Sequence, residues 1–165
     1  MRGDETEVDL PDERTVRVKR AFAAPPDLVY KAFTEPGLLR RWLLGPPGWE
    51  MSVCEMDLRV GGKYRWRWRN QENGQEFGFY GEVTELDPPG NISHTEYFDP
   101  GDVGGDMGKG SAVTTSFAAE GAGTRMTVTI VYDSAEDREA AMSTGMTDGM
   151  EMSYQRLDGM LAEGI

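Results

Sequence analysis

Cysteine and histidine are almost missing from these 165 residues, which hold one of each, Cys54 and His94. A lone cysteine closes no internal disulfide, and one thiol with one imidazole makes no zinc cluster of the usual kind. Neither a metal site nor a bound cofactor is expected. Basic charge is short too: 17 Lys and Arg stand against 29 Asp and Glu, for a net charge of -12. That balance repels phosphate backbones and anionic lipid, so nucleic acid and membrane surfaces are not expected partners. No run approaches the roughly 18 uninterrupted apolar residues of a membrane span. No N-terminal segment joins a basic region to an apolar stretch of signal-peptide length, which points to the cytoplasm. The chain also lacks a Gly-x-Ser-x-Gly elbow, a phosphate loop ending in Gly-Lys-Ser or Gly-Lys-Thr, and a dinucleotide fingerprint. The common hydrolase, kinase and dehydrogenase patterns are thereby removed.

A chain of this length suits one core. Residues 1–14 include Asp4, Glu5, Glu7, Asp9, Asp12 and Glu13 with little apolar to anchor them, and read as a flexible acidic arm; residues 15–165 read as a single domain. From Thr15 to Phe22, Val16 and Val18 alternate with Arg17 and Lys19, as in a half-buried strand, until Pro25-Pro26 stops it. Leu28, Val29, Ala32 and Phe33 then form a helical stripe, and a second short helix holds Leu38, Leu39, Trp42 and Leu43. Six further strands are expected at about residues 49–58, 62–70, 76–87, 91–99, 110–119 and 124–133, joined by turns such as Val60-Gly61-Gly62, Glu72-Asn73-Gly74 and Pro88-Pro89-Gly90. Short turns imply antiparallel neighbours. The glycine-rich segment from Pro100 to Gly110 reads as a mobile lip over one end of the sheet. After Tyr132 the period changes: Met146, Met150, Ser153, Tyr154, Leu157, Met160 and Leu161 recur three and four apart, as on one face of a long closing helix. Gly145 and Gly149 mark where it would bend or break. The order implies an α+β fold, with a sheet that has one face to cover and one substantial helix to cover it.

The run Ala24-Pro25-Pro26-Asp27-Leu28-Val29-Tyr30-Lys31-Ala32-Phe33-Thr34, followed by Leu39-Arg40-Arg41-Trp42, resembles the opening of the activator-of-heat-shock-protein-90-ATPase-like branch of the START and birch-pollen-allergen (SRPBCC) superfamily. Asp57 to Tyr64, Gly81-Glu82-Val83, Pro88-Pro89, His94-Thr95-Glu96 and the ending with Tyr154-Gln155-Arg156-Leu157 continue the likeness in order over about residues 15–163. The resemblance implies a helix-grip fold: a seven-stranded curved antiparallel sheet around a long C-terminal helix, two short helices after the first strand, and a ligand cavity beneath the closing helix. It does not by itself imply a reaction.

On the strand from Tyr64 to Arg69, Tyr64, Trp66 and Trp68 point one way and Arg65, Arg67 and Arg69 the other. The rings fill a core or line a pocket; Trp66 is expected to be buried and Arg67 exposed. Four tryptophans and ten methionines suit an adaptable apolar cavity. Candidate ligand contacts are Trp42, Trp66, Trp68, Phe79, Phe117, Met126, Met146, Met150 and Tyr154. Ile92, His94, Glu96 and Phe98 share a strand face, so His94 and Glu96 either satisfy one another within the core or meet a guest as acid, base or orienting group. Three functions stay open: binding a small hydrophobic or aromatic molecule, lipid or polyketide-like; a cofactor-independent cyclase, dehydratase, other lyase or hydrolase using His94 and Glu96; and a chaperone-associated interaction module. A homodimer is also open. Cys54, between Val53 and Glu55 on a strand, reads as a small packed side chain rather than a nucleophile.

Overall fold

The computed structural model describes residues 6–104 and 109–165. Its strands are β1 (Glu7–Asp9), β2 (Thr15–Phe22), β3 (Trp49–Met56), β4 (Lys63–Asn70), β5 (Glu76–Asp87), β6 (Asn91–Asp99), β7 (Ser111–Glu120) and β8 (Gly123–Tyr132). They form one antiparallel sheet in the order β1-β2-β8-β7-β6-β5-β4-β3. The helices are α1 (Pro26–Thr34), α2 (Pro36–Trp42), α3 (Ala135–Met142) and α4 (Met146–Glu163).

Alternation puts Val16, Val18 and Phe22 of β2 and Met126, Val128, Ile130 and Tyr132 of β8 on the buried, concave face. Because β2 lies beside β8 while β3 forms the far edge, α1 and α2 must carry the chain across that face. Arg40 of α2 fastens the crossing by donating to the Met51 carbonyl of β3 at 2.8 Å. Bulges between Met51 and Val53 and between Val83 and Glu85 bend the sheet. Beside the second bulge the backbone comes close at Gly81, where a Cβ would stand 2.0 Å from the Thr95 carbonyl oxygen.

Two expectations need correction. The sheet has eight strands, not seven, because Glu7–Asp9 of the supposed arm pair with Lys19 to Arg17 at the edge. Thr6 is tied further, its backbone N–H and hydroxyl both donating to Glu151 Oε1 on α4. The closing element is also not one helix. Gly145 adopts φ of +78°, which separates α3 from α4; Ser134 caps α3 by accepting from the Asp137 N–H. Gly149, by contrast, lies within the unbroken α4.

Arg20 is the unexpected buried group. It follows Val16 and Val18 on the inner face, its side chain is fully buried, and it makes paired hydrogen bonds to Glu151 and to Asp158 of α4 at 2.8–2.9 Å. Burial opposes ionisation of Glu151, but hydrogen bonds from Arg20, Thr6 and Gln155 outweigh it and hold the carboxyl at about 2. The cluster locks α4 to β2 beside the edge strand.

Candidate functional site

Between the concave face and α4 lies a cavity of about 820 Å3, partly open to solvent. Its wall begins on β4, where Tyr64, Trp66 and Trp68 face inward. The register places Trp66 beside Phe79 and Trp68 beside Phe77 of β5, and Phe79 beside Phe98 of β6. The rings interlock: Trp68 stacks on Phe77 at 5.6 Å, Trp49 meets Phe77 edge-on at 5.1 Å, and Phe79 lies 5.6 Å from Phe98. Trp68 is held by donating its Nε1–H to the Leu43 carbonyl at 2.7 Å, and Trp42 by donating to the Ala32 carbonyl at 3.0 Å. On the opposite side α4 presents Met146, Gly149, Met150, Ser153 and Tyr154. Ser153 Oγ accepts from the Gly45 N–H, which ties the chain after α2 to α4.

The polar end is built on β6. His94 and Glu96 both border the cavity, with side chains 13% and 24% exposed. His94 Nε2 lies 3.8 Å from Glu96 Oε1, beyond hydrogen-bond reach, and has no partner. Its ring stands edge-on to Tyr64 at 5.1 Å and at 6.1 Å from Trp66. Ser111 lies opposite Glu96, and Tyr132 opposite Ser111. Burial first, and then the Glu96 charge, push the Tyr64 and Tyr132 phenols above their usual range. Tyr64 donates to the Thr95 carbonyl at 2.6 Å, while the Tyr132 hydroxyl reaches Met146 Sδ at 3.5 Å.

Of the residues singled out from sequence, Trp42, Trp66, Trp68, Phe79, His94, Glu96, Met146, Met150 and Tyr154 border this cavity. Phe117 and Met126 do not. They face one another across β7 and β8 in the solid core, where Phe117 packs on Tyr30 and Phe33 of α1 at 5.8 and 5.2 Å. Trp66 is half-buried because its inner side meets the cavity, and its Nε1–H has no partner. Arg67 is not the exposed residue expected, its side chain being only 16% exposed. Its neighbour across the ladder is Gly78, which supplies no side chain to hold it away, so it folds onto Glu76 and Asp99. Val103, Gly104 and Gly110 of the expected lip border the cavity, whereas residues 105–108 fall outside the described part of the chain. Cys54 is buried, and burial pushes its thiol up.

Sequence reasoning missed Trp49, Phe77, Leu43, Leu44 and Tyr132 as cavity residues. Phe77 was accessible from alternation with Phe79. Leu43 and Leu44 were not, because they leave α2 in irregular backbone. No helix among the described residues is long and apolar enough to cross a membrane, and no group of three or more His, Cys, Asp or Glu among them could hold a metal.

A protein from Rhodobacter sphaeroides shares 31% identity with this chain, with 97% of this chain and 99% of that one covered at a TM-score of 0.89. A Mycobacterium smegmatis protein is 26% identical over 95% and 96% of the two chains at 0.83, and one from Chromobacterium violaceum 29% identical over 88% and 96% at 0.74. No curated protein matches. The family model described as activator of Hsp90 ATPase homolog 1-like protein matches residues 23–162, from the approach to α1 almost to the end of α4. Sharing that span with the model and its whole fold with the Rhodobacter protein, the chain belongs to the activator of Hsp90 ATPase homolog 1-like family.

Proposed function

We propose that this protein binds a small apolar, ring-bearing molecule in the cavity between β4–β6 and α4. The observation that carries the reading is the cavity itself: about 820 Å3, walled by Trp49, Trp66, Trp68, Phe77, Phe79 and Phe98, within the range of small-molecule sites. Close packing is the rule for protein interiors, so an apolar space of this size beneath a closing helix calls for an occupant. The flexible thioethers of Met146 and Met150 supply a wall that adjusts to its guest. Native mass spectrometry of gently purified protein, followed by identification of released small molecules, tests the reading. A double variant, Met146→Trp with Met150→Trp, narrows the space from the α4 side and is expected to fold and to retain markedly less of them. Undiminished retention of the same compounds by that variant would place them elsewhere and sink the proposal.

A second reading, turnover of the bound molecule, draws on one feature. His94 Nε2 is unpartnered and faces Glu96 across 3.8 Å on the cavity wall, as an acid–base pair awaiting a substrate would be. Incubating identified retained compounds with the protein and with His94→Phe, and following their mass, decides it. A chaperone-directed role rests on the family likeness alone.

A further inference from the structure

The charges around the cavity are one-sided. Among the described residues that border it, Glu96 is the one carboxylate, and there is no lysine or arginine. Glu96 makes no hydrogen bond to the described residues, and its nearest group able to carry positive charge is His94, at 3.8 Å. The contrast with the rest of the molecule is informative. Arg20 answers Glu151 and Asp158, and Arg67 answers Glu76 and Asp99. These half-buried carboxylates have a guanidinium in contact; the one inside the cavity has none.

We infer that the cavity selects an organic cation, a ring-bearing apolar body with a protonated amine that pairs with Glu96. This rests on the binding reading above and specifies the ligand's charge. A carboxylate facing an apolar space loses hydration without compensation until a cation arrives, so the guest's ammonium supplies what the protein omits. The surrounding rings favour the same sign. Tyr64, Trp66, Phe98 and Tyr132 lie around this end of the cavity, and aromatic faces attract cations through their quadrupole. The net charge of -12 adds a long-range field that draws cations to the rim and keeps anions away. A carboxylate or phosphate guest would meet Glu96 with no lysine or arginine in the lining to offset the repulsion.

Three probes with one ring system separate the alternatives: naphthylethylamine, naphthylethanol and naphthylacetate, titrated into the full chain by calorimetry and by fluorescence of the cavity tryptophans. The amine is expected to bind at least about ten-fold tighter than the alcohol, with the acetate weakest. In Glu96→Gln the amine's advantage should fall to within about three-fold of parity while the alcohol's affinity holds. Glu96→Ser serves in its place if the glutamine variant does not fold. An alcohol that binds wild type as tightly as the amine, or an amine preference that survives loss of Glu96, overturns the charge selection and leaves cavity binding standing. Failure of all three probes to bind overturns both.

Discussion

The guanidinium of Arg20 on β2 lies 5.8 Å from the ring of Tyr154 on α4, and that ring borders the cavity. Tyr154 therefore lies beside the buried ionic cluster on one side and the cavity on the other. The cluster sets where α4 sits, and α4 sets how much space remains beneath it.

Replacing Arg20 by Met leaves Glu151 and Asp158 without their cation. The expected loss is about 3 kcal/mol, near the low end for a broken buried pair because both carboxylates still reach water at 24% and 30% exposure. Urea unfolding followed by tryptophan fluorescence measures it. A loss below about 1 kcal/mol would mean the cluster is an incidental contact.

Acid should act through Glu151. Its carboxyl is held at about 2 against an ordinary 4.5, so the stabilisation it brings is fully present above pH 4.5 and drains away as pH falls towards 2. Glu151→Gln is expected to be less stable than wild type at pH 7, with the gap narrowing between pH 4.5 and pH 2.5. Unfolding curves across that range check the sign. A constant gap would contradict the assignment.

His94→Phe should fold normally, because the imidazole Nε2 has no partner to lose and Phe occupies a similar space beside Tyr64 and Trp66. Any compound retained by the wild-type protein should raise its melting temperature more than that of the variant. Equal shifts would remove His94 from the site; a variant destabilised without ligand would make His94 a structural brace.

Gly81→Ala should cost about 2 kcal/mol or more, since the added methyl would meet the Thr95 carbonyl at 2.0 Å and force β5 and β6 apart there. The melting temperature reports the loss. Probe affinity should change with it, because Thr95 lies between His94 and Glu96, which both border the cavity.

Much of the fold was legible because side-chain alternation records which face of a strand is buried. β5 and β6 lie where the alternation and flanking turns put them, and Gly145, noted as a weak point, is where the last helices separate. β1 was illegible for a physical reason: its three residues are held by backbone bonds to β2 and by Thr6 to Glu151, and neither leaves a hydrophobic pattern. Phe117 and Met126 show a second limit. Alternation assigns both correctly to the inner face, but whether that face meets space or packed atoms depends on position across the sheet, and α1 covers their end. Arg20 shares the period of Val16 and Val18, but nothing local announces a buried arginine, because its partners lie 131 and 138 residues further on.

The crossing of α1 and α2, which sends β3 to the edge farthest from β2, also sets an order of assembly. β3 to β6 are consecutive in the chain and can zip together as hairpins while β2 still waits for β8, with Thr15 finally meeting Val131. During synthesis the residues of the aromatic wall, Trp66, Trp68, Phe77 and Phe79, are therefore made before the C-terminal helix that covers them. Distant pairings of this kind close slowly, and an uncovered aromatic sheet is adhesive while it waits. The stretch most exposed to misassociation in the nascent chain is thus the one that walls the cavity in the finished protein.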